Sequence, residues 1–215
     1  MRQPANSSAL ESLRALGAAT VYEAQGAHGA FDSGLKPLDP ANRLVGPALT
    51  VDLRPADNLM LHYALLKAQP GDVLVVDAKG FLEAGPWGDV LTEAAMARGV
   101  AGLVIHGAVR DADAIVRMGF PVFCRGLSIK GTGKHQPGRL NVPLCIGDAV
   151  VHPGDIVVGD RDGLVMVARD DVDRVLASAQ AREEKEAGFR RAIANGASTA
   201  ELLGLGDTLH RLGLH

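Results

Sequence analysis

Aromatic residues are scarce in this sequence: Phe, Trp and Tyr together make up 4% of the 215 residues. A core with so few rings must rest on Val, Leu, Ile and Ala. The hydrophobic fraction of 47% and the charged fraction of 22% are those of an ordinary soluble globular protein. The length suits one large domain, or one domain with a helical tail. We predict that residues 1–215 form a single domain.

Cysteine is also rare, with only Cys124 and Cys145 in the chain. Both lie in apolar stretches, and their separation fits no metal-binding pattern. A free cysteine in such surroundings behaves as a small hydrophobe. We therefore predict that both side chains are buried and that neither carries chemistry.

Long apolar runs and a basic surplus are missing as well. No apolar run approaches the ~18 residues of a membrane span, and the first residues lack the hydrophobic region of a signal peptide. The net charge of -3 gives no basic surface for nucleic acid. We expect a cytoplasmic protein with neither a membrane nor a nucleic acid as its partner.

Strand and helix patterns alternate through most of the chain, which predicts a parallel sheet with helical crossovers. Apolar runs covered on both faces suit such strands. The turn Pro70-Gly-Asp72 before one strand returns as Pro153-Gly-Asp155, and we interpret this as one turn type used twice. Residues 126–141, rich in Gly, Lys and Pro, predict a long functional loop. The predicted elements are helices at 8–16, 20–25, 58–68, 90–97 and 111–118 and strands at 46–52, 70–77, 102–106, 121–124, 144–151, 156–158 and 164–167.

The C-terminal part predicts a charged amphipathic helix over residues 170–194, capped by Asp170 or Asp171. The last twenty residues are glycine-rich and apolar. We expect them to pack on another surface.

Two helix starts in the stretch from Gly85 to Asp113 carry the candidate chemistry. Asp89 begins one helix after a glycine-rich turn, and Arg110 and Asp111 follow the strand 102–106. Ligands of open α/β sheets bind beyond the carboxyl ends of the strands, and amides at helix starts favour anions. Arg110 offers a bidentate fork for a carboxylate, and Asp111 suits a hard cation such as Mg²⁺. Asp89 is a second acid that suits a metal-held water.

Plainer readings compete at these positions. Asp at a helix start is common as a cap, and an Arg-Asp pair alone is structural more often than not. His62 lies one turn after Asn58, so the two side chains could face one site or belong to the core. The loop 130–135 resembles a phosphate loop but lacks its first Gly and its Ser or Thr. Its Lys134, together with Arg139, could meet substrate carboxylates or stay solvated.

Trp87-Gly-Asp89, twenty residues and then Arg110-Asp111 resemble the Asp-x20-Arg-Asp signature of the class II 4-hydroxy-4-methyl-2-oxoglutarate / 4-carboxy-4-hydroxy-2-oxoadipate aldolases. These enzymes share the fold of the ribonuclease E regulator RraA. The similarity covers most of the chain. Further segments that carry it are Ala18–Gly26, Asp57–His62, Pro70–Asp72, Gly131–Lys134, Leu140–Pro143 and His152–Asp155.

The resemblance implies a fold and an activity. The fold is an α/β, RraA-like swivelling β/β/α domain with a C-terminal helix, assembled as a homotrimer or homohexamer with active sites between subunits. The activity is divalent-metal-dependent cleavage of a 4-hydroxy-2-oxo acid to pyruvate and a second oxo acid, as in aromatic compound catabolism. Oxaloacetate decarboxylation is expected as a side reaction because it forms the same enolate.

The resemblance also implies roles for individual residues. Asp111 would ligate Mg²⁺ or Mn²⁺ directly, and Arg110 would bind the pyruvyl end of the substrate. Asp89 would act on the metal through water, and so would Glu186 (or Glu184) of a neighbouring subunit. The residues implied to bind substrate are Gly88, Asp89, Val90, Leu91, Arg110 and Lys134.

Two positions depart from the family pattern. His106 stands where the family often has Asp, and Ala114 stands where a further acid is expected, with Asp113 beside it. Both departures bear on substrate choice more than on metal binding.

Two other functions compete with the metal-dependent aldolase. One is a Schiff-base mechanism on Lys79 or Lys134. The other is a non-catalytic RraA-like regulator that binds a ribonuclease or helicase.

Overall fold

The computed structural model describes residues 7–214. Within this range the helices are α1 (Ser7–Leu16), α2 (Ala18–Ala24), α3 (Leu59–Lys67), α4 (Asp89–Ala97), α5 (Ala112–Met118), α6 (Val172–Ala194), α7 (Thr199–Leu202) and α8 (Gly206–Arg211). The strands are β1 (Lys36–Pro37), β2 (Leu44–Asp52), β3 (Val73–Phe81), β4 (Gly102–Val109), β5 (Val122–Leu127), β6 (Arg139–Leu140), β7 (Leu144–Ile146), β8 (Ala149–Val151), β9 (Ile156–Gly159) and β10 (Leu164–Val167).

The main sheet has the strand order β1-β5-β4-β3-β2-β9-β10, with β6 also paired to β2. Strands β2, β3, β4 and β5 are parallel, as predicted. Strand β2 serves two partners: its first half, 44–47, pairs antiparallel with β9, and its second half, 48–52, pairs with β3. The predicted α/β class with a C-terminal helix is confirmed.

The parallel strands are apolar at almost every position because both faces of the sheet are covered. Residues 73–76 of β3 are all fully buried. One face packs against α3, α4 and α5, and the other encloses a second core with the β7–β8 hairpin and strands β9 and β10. A third cluster lies between β9, β10 and the helices α1, α2 and α6.

The C-terminal helices differ from the rest of the fold in burying almost nothing. Only Val175 and Ala179 of the 23-residue α6 are buried, and α7 and α8 have no buried residue. Five large apolar side chains of this region are exposed: Ile193, Leu203, Leu205, Leu212 and Leu214. Helices as short as α7 and α8 gain most of their stability from packing. That the tail packs on another surface stays a prediction.

Several predicted boundaries need correction. Strands β3, β4 and β5 run on to residues 81, 109 and 127, because register shifts carry the pairing past the apolar runs. The predicted strand 144–151 is in fact two strands, since β7 and β8 form a separate hairpin. Within that hairpin Leu144 and Ile146 face inward and Cys145 faces solvent, so the prediction that Cys145 is buried was wrong. Cys124 is buried as predicted.

Two details of the helices also differ. Helix α2 begins at Ala18 instead of Thr20, and α6 begins at Val172 after a 3-10 turn over Arg169–Asp171. Asp171 holds the N-cap position, but its side chain makes no capping hydrogen bond and pairs with Arg174 instead. Among the helices of residues 7–214, none has both the length and the apolar character of a membrane span.

Candidate active site

Trp87 anchors the segment that carries the first candidate residues. Its ring is fully buried and stacks on Phe120, with 6.3 Å between the ring centres. Its indole N–H donates to Thr92 Oγ1 (2.8 Å), and that hydroxyl donates to the carbonyl of Gly88 (3.0 Å). The start of α4 is therefore held in place by buried side chains on both sides of Gly88.

The glycines of this segment are needed for space. A Cβ on Gly88 would lie 2.3 Å from Asp111 Oδ2 and 3.2 Å from Arg110 Nε. A Cβ on Gly85 would lie 2.4 Å from the carbonyl of Ser128. The bare backbone at Gly88 thus lets the first amides of α4 approach the Arg-Asp pair.

Arg110 and Asp111 follow β4 directly. The backbone N–H of Arg110 donates to the carbonyl of Trp87 (2.9 Å), which joins the two junctions. The sequence predicted that α5 begins at Asp111, but the helix begins at Ala112. Asp111 precedes it, with φ 56° and ψ 37°. This left-handed conformation costs an L-residue roughly 1–2 kcal/mol, and Asp is one of the few residues that visit it. Such strain clusters at functional sites.

The left-handed turn brings the Asp111 carboxylate back towards α4. Its Oδ2 accepts a long hydrogen bond of 3.4 Å from the N–H of Asp89 and lies 3.4 Å from Arg110 Nε. The side chains of Arg110 and Asp111 remain 47% and 38% exposed. Asp89 Oδ1 accepts from the N–H of Val90 at 2.7 Å. The three candidate catalytic residues therefore converge, and their polar atoms are only loosely satisfied.

A cleft of about 210 Å³ opens beside this group. Its lining contains all six residues that the resemblance implied for substrate binding, together with three others. The lining residues are Asn58, His62, Pro86, Gly88, Asp89, Val90, Leu91, Arg110 and Lys134. A second cleft of about 350 Å³ lies on another side of Arg110 and Asp111 and is completed by Ala112, Leu127, Ser128 and Ile129. No sequence pattern indicated this second cleft, because its apolar residues are typical of an ordinary strand and loop.

Asn58 and His62 both face the cleft, which was one of the two readings of their spacing. Asn58 is 8% exposed and donates from Nδ2 to the carbonyl of Pro86 (3.0 Å). Its Oδ1 is buried without a hydrogen-bond partner among residues 7–214. Burial lowers the pKa of His62, and the nearby positive charge of Lys134 lowers it further. The cleft therefore has a cationic end, where Lys134 lies near His62.

A second group of charges lies at the same edge of the sheet. We call it the charged row, and it consists of Asp52, Asp77, Lys79, His106 and Arg125. Asp52, Asp77 and His106 are register partners on adjacent strands. Lys79 Nζ lies 2.6 Å from a carboxylate oxygen of each of the two aspartates. None of these five residues lines either cleft.

The pairing in the charged row decides against one catalytic candidate. Burial tends to lower the pKa of Lys79, but the hydrogen bonds and charges of Asp52 and Asp77 outweigh it and raise that pKa. A Schiff-base lysine must lose its proton near neutral pH. The geometry therefore disfavours Lys79 for that role.

Two other candidates lie apart from the site within this chain. Arg139 bonds Asp52 through Nε (2.9 Å) and Nη2 (2.7 Å) and does not line either cleft. Glu186 lies on α6 and pairs with Arg182 (3.0 Å) and Arg190 (3.6 Å) of its own helix. Neither pairing tests the idea that Glu186 meets the site of another copy.

The donor set fits a hydrated divalent cation. Across residues 7–214 no three His, Cys, Asp or Glu side chains are grouped so that they could hold a metal by themselves. Mg²⁺, however, is usually held by one or two carboxylates and keeps several waters. The exposed Asp111 carboxylate, with Asp89 beside it and no side chain on Gly88, meets that requirement.

The departures from the family pattern lie outside both clefts. His106 Nδ1 is 3.3 Å from Asp77, within the charged row. Asp113 is exposed in the first turn of α5, and Ala114 follows it in the same helix.

Comparison with known proteins identifies the group to which the fold and this site belong. Residues 18–166 match the model of the RraA-like family, described as Aldolase/RraA. The chain belongs to the Aldolase/RraA family. A Halalkalibacterium halodurans protein, named as a predicted 4-hydroxy-4-methyl-2-oxoglutarate aldolase, is 39% identical over 163 residues, which are 76% of this chain and 78% of that protein.

Solved structures agree with this family. A Pseudomonas syringae pv. tomato protein superposes with a TM-score of 0.81 at 29% identity and covers 94% of this chain and 99% of its own. RraAS2 of Streptomyces coelicolor, described as an unusual member of the RNase ES inhibitor RraA family, gives 0.77 at 31% identity over 88% of this chain and 99% of its own. The predicted RraA-like α/β fold with a C-terminal helix is thereby confirmed. The family includes both aldolases and inhibitors of RNA processing, so membership alone does not assign the activity.

Proposed function

We propose that this protein is a divalent-metal-dependent class II aldolase. Its substrate is a 4-hydroxy-2-oxo acid, such as 4-carboxy-4-hydroxy-2-oxoadipate or 4-hydroxy-4-methyl-2-oxoglutarate, and its products are pyruvate and a second oxo acid. Oxaloacetate decarboxylation accompanies this activity. The observation that carries the proposal is the convergence of Asp89, Arg110 and Asp111 at one glycine-opened cleft.

Asp111 holds Mg²⁺ or Mn²⁺ in this proposal, with Asp89 acting through water. When bound, the cation supplies Lewis-acid stabilisation of the negative charge that develops on the 2-oxo group. Arg110 binds the carboxylate of the pyruvyl end through its guanidinium fork. The amides from Gly88 to Leu91 have no partners one turn earlier, so they can donate to an anion, although those of Asp89 and Val90 here donate to the carboxylates of Asp111 and Asp89.

Bond cleavage also requires that the 4-hydroxyl lose its proton. Asp89 lines the cleft, and its carboxylate would take up this proton through an intervening water. Lys134, which also lines the cleft, would pair with an additional carboxylate of a tricarboxylic substrate. These assignments give each charged residue of the cleft a separate part of the reaction.

We further propose that the active unit is a homotrimer or homohexamer. Support comes from the tail, in which α7 and α8 bury no residue and the leucines that flank them, Leu203, Leu205, Leu212 and Leu214, are exposed. Glu186 of a neighbouring copy would then act on the cation through water.

The family supports a second function, because RraAS2 belongs to a group of ribonuclease inhibitors. In that case the chain would be a regulator that binds a ribonuclease or helicase. The retained Arg110-Asp111 pair and the open cleft favour the enzyme.

One assay separates these functions. Oxaloacetate is added to the purified protein with Mg²⁺, with Mn²⁺ and with a chelator, and pyruvate is followed by a coupled reaction. The enzyme predicts metal-dependent pyruvate formation above the spontaneous rate. A rate equal to the metal-only blank would contradict the aldolase and favour the regulator.

The Lys134 assignment has its own test. Lys134→Ala should raise KM for the tricarboxylic substrate by roughly 10-fold, the value of ~1.4 kcal/mol of charge pairing. The KM for oxaloacetate, which lacks the extra carboxylate, should change less than ~2-fold on the same reasoning. Equal effects on both substrates would remove Lys134 from substrate recognition.

A further inference from the structure

Asp57 is a buried carboxylate immediately before α3, and its surroundings are made of backbone amides. It is 1% exposed. Oδ1 accepts from the N–H of Leu59 (2.9 Å), and Oδ2 accepts from the N–H groups of His135 (2.8 Å) and Gln136 (3.2 Å). Burial tends to raise the pKa of Asp57, but these amide donors more than offset it and lower the pKa. The group is therefore a carboxylate at neutral pH.

Two of these donors, His135 and Gln136, belong to the loop that carries Lys134. This loop, residues 128–138, crosses from β5 to β6. Gly133 donates to the carbonyl of Ala56 (2.9 Å), and Asn58 donates to the carbonyl of Gly133 (3.0 Å). Asp57 and Gly133 thus form an isolated parallel bridge. The backbone is so close that a Cβ on Gly133 would lie 3.0 Å from Asp57 Oδ2.

Lys134 is flanked on both sides by these contacts. Gly133 before it bonds the main chain on either side of Asp57, and His135 after it bonds the Asp57 carboxylate. The attachment fixes the backbone of Lys134 relative to α3, whose Asn58 and His62 line the same cleft. Sequence reasoning missed Asp57, because an Asp before a helix reads as an ordinary cap.

We propose that Asp57 is a positioning residue that sets the place of Lys134 in the cleft, and so the recognition of the substrate's distal carboxylate. This rests on the proposed function only for the identity of that carboxylate. Asp57 touches no substrate. It acts by holding two consecutive amides of the loop against the start of α3.

This position requires a carboxylate because all three contacts come from N–H donors, and both oxygens of a carboxylate accept hydrogen bonds. Asn at this position would turn its NH₂ group either towards His135 and Gln136, which removes both loop contacts, or towards Leu59, which leaves the loop on a neutral oxygen that accepts more weakly than a carboxylate. Either orientation loosens the segment 134–136 while leaving the Gly133 main-chain bonds in place. The expected defect is thus a displaced Lys134 in a folded protein.

Asp155 provides a matched control. It is 6% exposed and likewise accepts two backbone amides, from His152 (2.8 Å) and Arg169 (3.2 Å). It lies at the opposite end of the sheet, where its carbonyl accepts from Ala48. Asp57→Asn and Asp155→Asn therefore remove the same chemistry from two places.

The first measurement compares these variants in the tricarboxylic-substrate assay. Asp57→Asn should raise KM roughly 10-fold with kcat within ~3-fold, whereas Asp155→Asn should leave KM unchanged despite a similar loss of stability. In a Lys134→Ala background, Asp57→Asn should add nothing to KM, because both changes remove one interaction. Additive effects, or equal KM changes in Asp57→Asn and Asp155→Asn, would overturn the proposal.

The second measurement needs no turnover, so it separates this proposal from the proposed function. His62 senses the charge of Lys134, and its pKa is followed by NMR titration of the imidazole protons. Lys134→Ala should raise the pKa of His62, Asp57→Asn should raise it towards the same value, and Asp155→Asn should not change it. Loss of a nearby negative charge alone would lower the pKa, so the direction itself is diagnostic. An unchanged or lowered pKa in Asp57→Asn would refute the positioning role, even if the protein proved to have no aldolase activity.

If Asp57→Asn does not fold, Gly133→Ala replaces it. The added methyl group pushes the loop away from Asp57 while the carboxylate is kept. The same direction of change in KM and in the pKa of His62 is expected, with smaller size. No change in either quantity would contradict the proposal.

Discussion

Two groups of charges lie at the carboxyl edge of one sheet, and they differ in how completely they satisfy each other. In the charged row, Lys79 Nζ is 2.6 Å from both Asp52 and Asp77, whose side chains are only 15% and 11% exposed. In the cleft, Arg110 Nε is 3.4 Å from Asp111, and both side chains are more than a third exposed. The charges of the charged row pair with one another, whereas those of the cleft remain available to a ligand.

This difference follows from the physics of buried charge. A carboxylate taken out of water must be paired and hydrogen-bonded, or it destabilises the fold. The row meets that requirement with its own lysine. The cleft keeps the Asp111 carboxylate in contact with water, 38% exposed, where a ligand can reach it. The comparison predicts that changes in the cleft affect activity, and changes in the row affect stability.

The largest expected effect belongs to Asp111→Asn. Asn tolerates the left-handed conformation and has the same shape, so the fold should be kept. The loss of the carboxylate should reduce kcat/KM for oxaloacetate at least ~10³-fold, because several kcal/mol of charge stabilisation depends on the cation. Steady-state kinetics at saturating Mg²⁺ measure the loss of activity, and a thermal unfolding scan tests whether the fold is kept.

Asp113→Asn is the control for this prediction. Asp113 lies two residues later, is exposed and lines neither cleft. It should retain activity within ~2-fold, as surface substitutions usually do. If Asp111→Asn keeps activity in fully metal-loaded protein, the cation is held elsewhere and the division between cleft and row fails.

The next largest effect should come from Lys79→Met, and it should fall on stability. This substitution leaves Asp52 and Asp77 without their shared cation. Breaking a buried pair costs several kcal/mol, but Lys79 is 42% exposed, so we expect about 1–2 kcal/mol after allowing for screening by solvent. Urea unfolding at neutral pH measures this loss. The kcat/KM of the folded protein should remain within ~3-fold of wild type.

The pH dependence of that loss identifies its cause. Burial tends to raise the pKa of Asp52, but Lys79 and Arg139 outweigh it and lower the pKa. A carboxyl group whose pKa is lower in the folded state stabilises the fold at pH values above the unfolded-state pKa of ~3.9. This stabilisation is lost as the pH falls through the lower, folded-state pKa. The gap in stability between wild type and Lys79→Met should therefore narrow in acid. A gap that stays constant from pH ~7 to pH ~3 would show that lost packing, and not lost pairing, causes the effect.

Much of the fold was predictable from the sequence because its patterns are local. Buried parallel strands are apolar at nearly every position, and glycine ended the helix at Gly119, which adopts a left-handed C-cap. The strand ends were less predictable. β3 continues through Lys79 and Gly80, where pairing persists past the apolar run with a shift of register. The residues of that polar segment have no apolar pattern that would predict their place in β3.

The site was predictable where spacing alone brings residues together, as for Asp89 and Arg110-Asp111 at two helix starts. It was not predictable where contacts join distant segments. Asp57 and His135 are 78 residues apart in the chain, and the bond between them depends on how the loop 128–138 crosses the edge of the sheet. Lys79 and Arg139 illustrate the converse. Lys79 was a candidate Schiff-base lysine and Arg139 a candidate partner of substrate carboxylates, and both prove to be paired with Asp52.

The smallest effect on activity is expected at His106, where the sequence departs from the family pattern. In the charged row its Nδ1 lies 3.3 Å from Asp77 and its Nε2 lies 3.8 Å from Asp32. Because His106 faces these carboxylates and lines neither cleft, the presence of His instead of Asp at this position should affect the stability of the charged row and not the choice of substrate.

His106→Asp should lower stability by about 1 kcal/mol through like-charge repulsion across the strands. Its ratio of kcat/KM values for the tricarboxylate and oxaloacetate should stay within ~2-fold of wild type. His106→Gln, which removes the ring without adding charge, should destabilise less. A changed substrate ratio in His106→Asp but not in His106→Gln would show that the field of the row reaches the cleft, and the two groups would then act as one site.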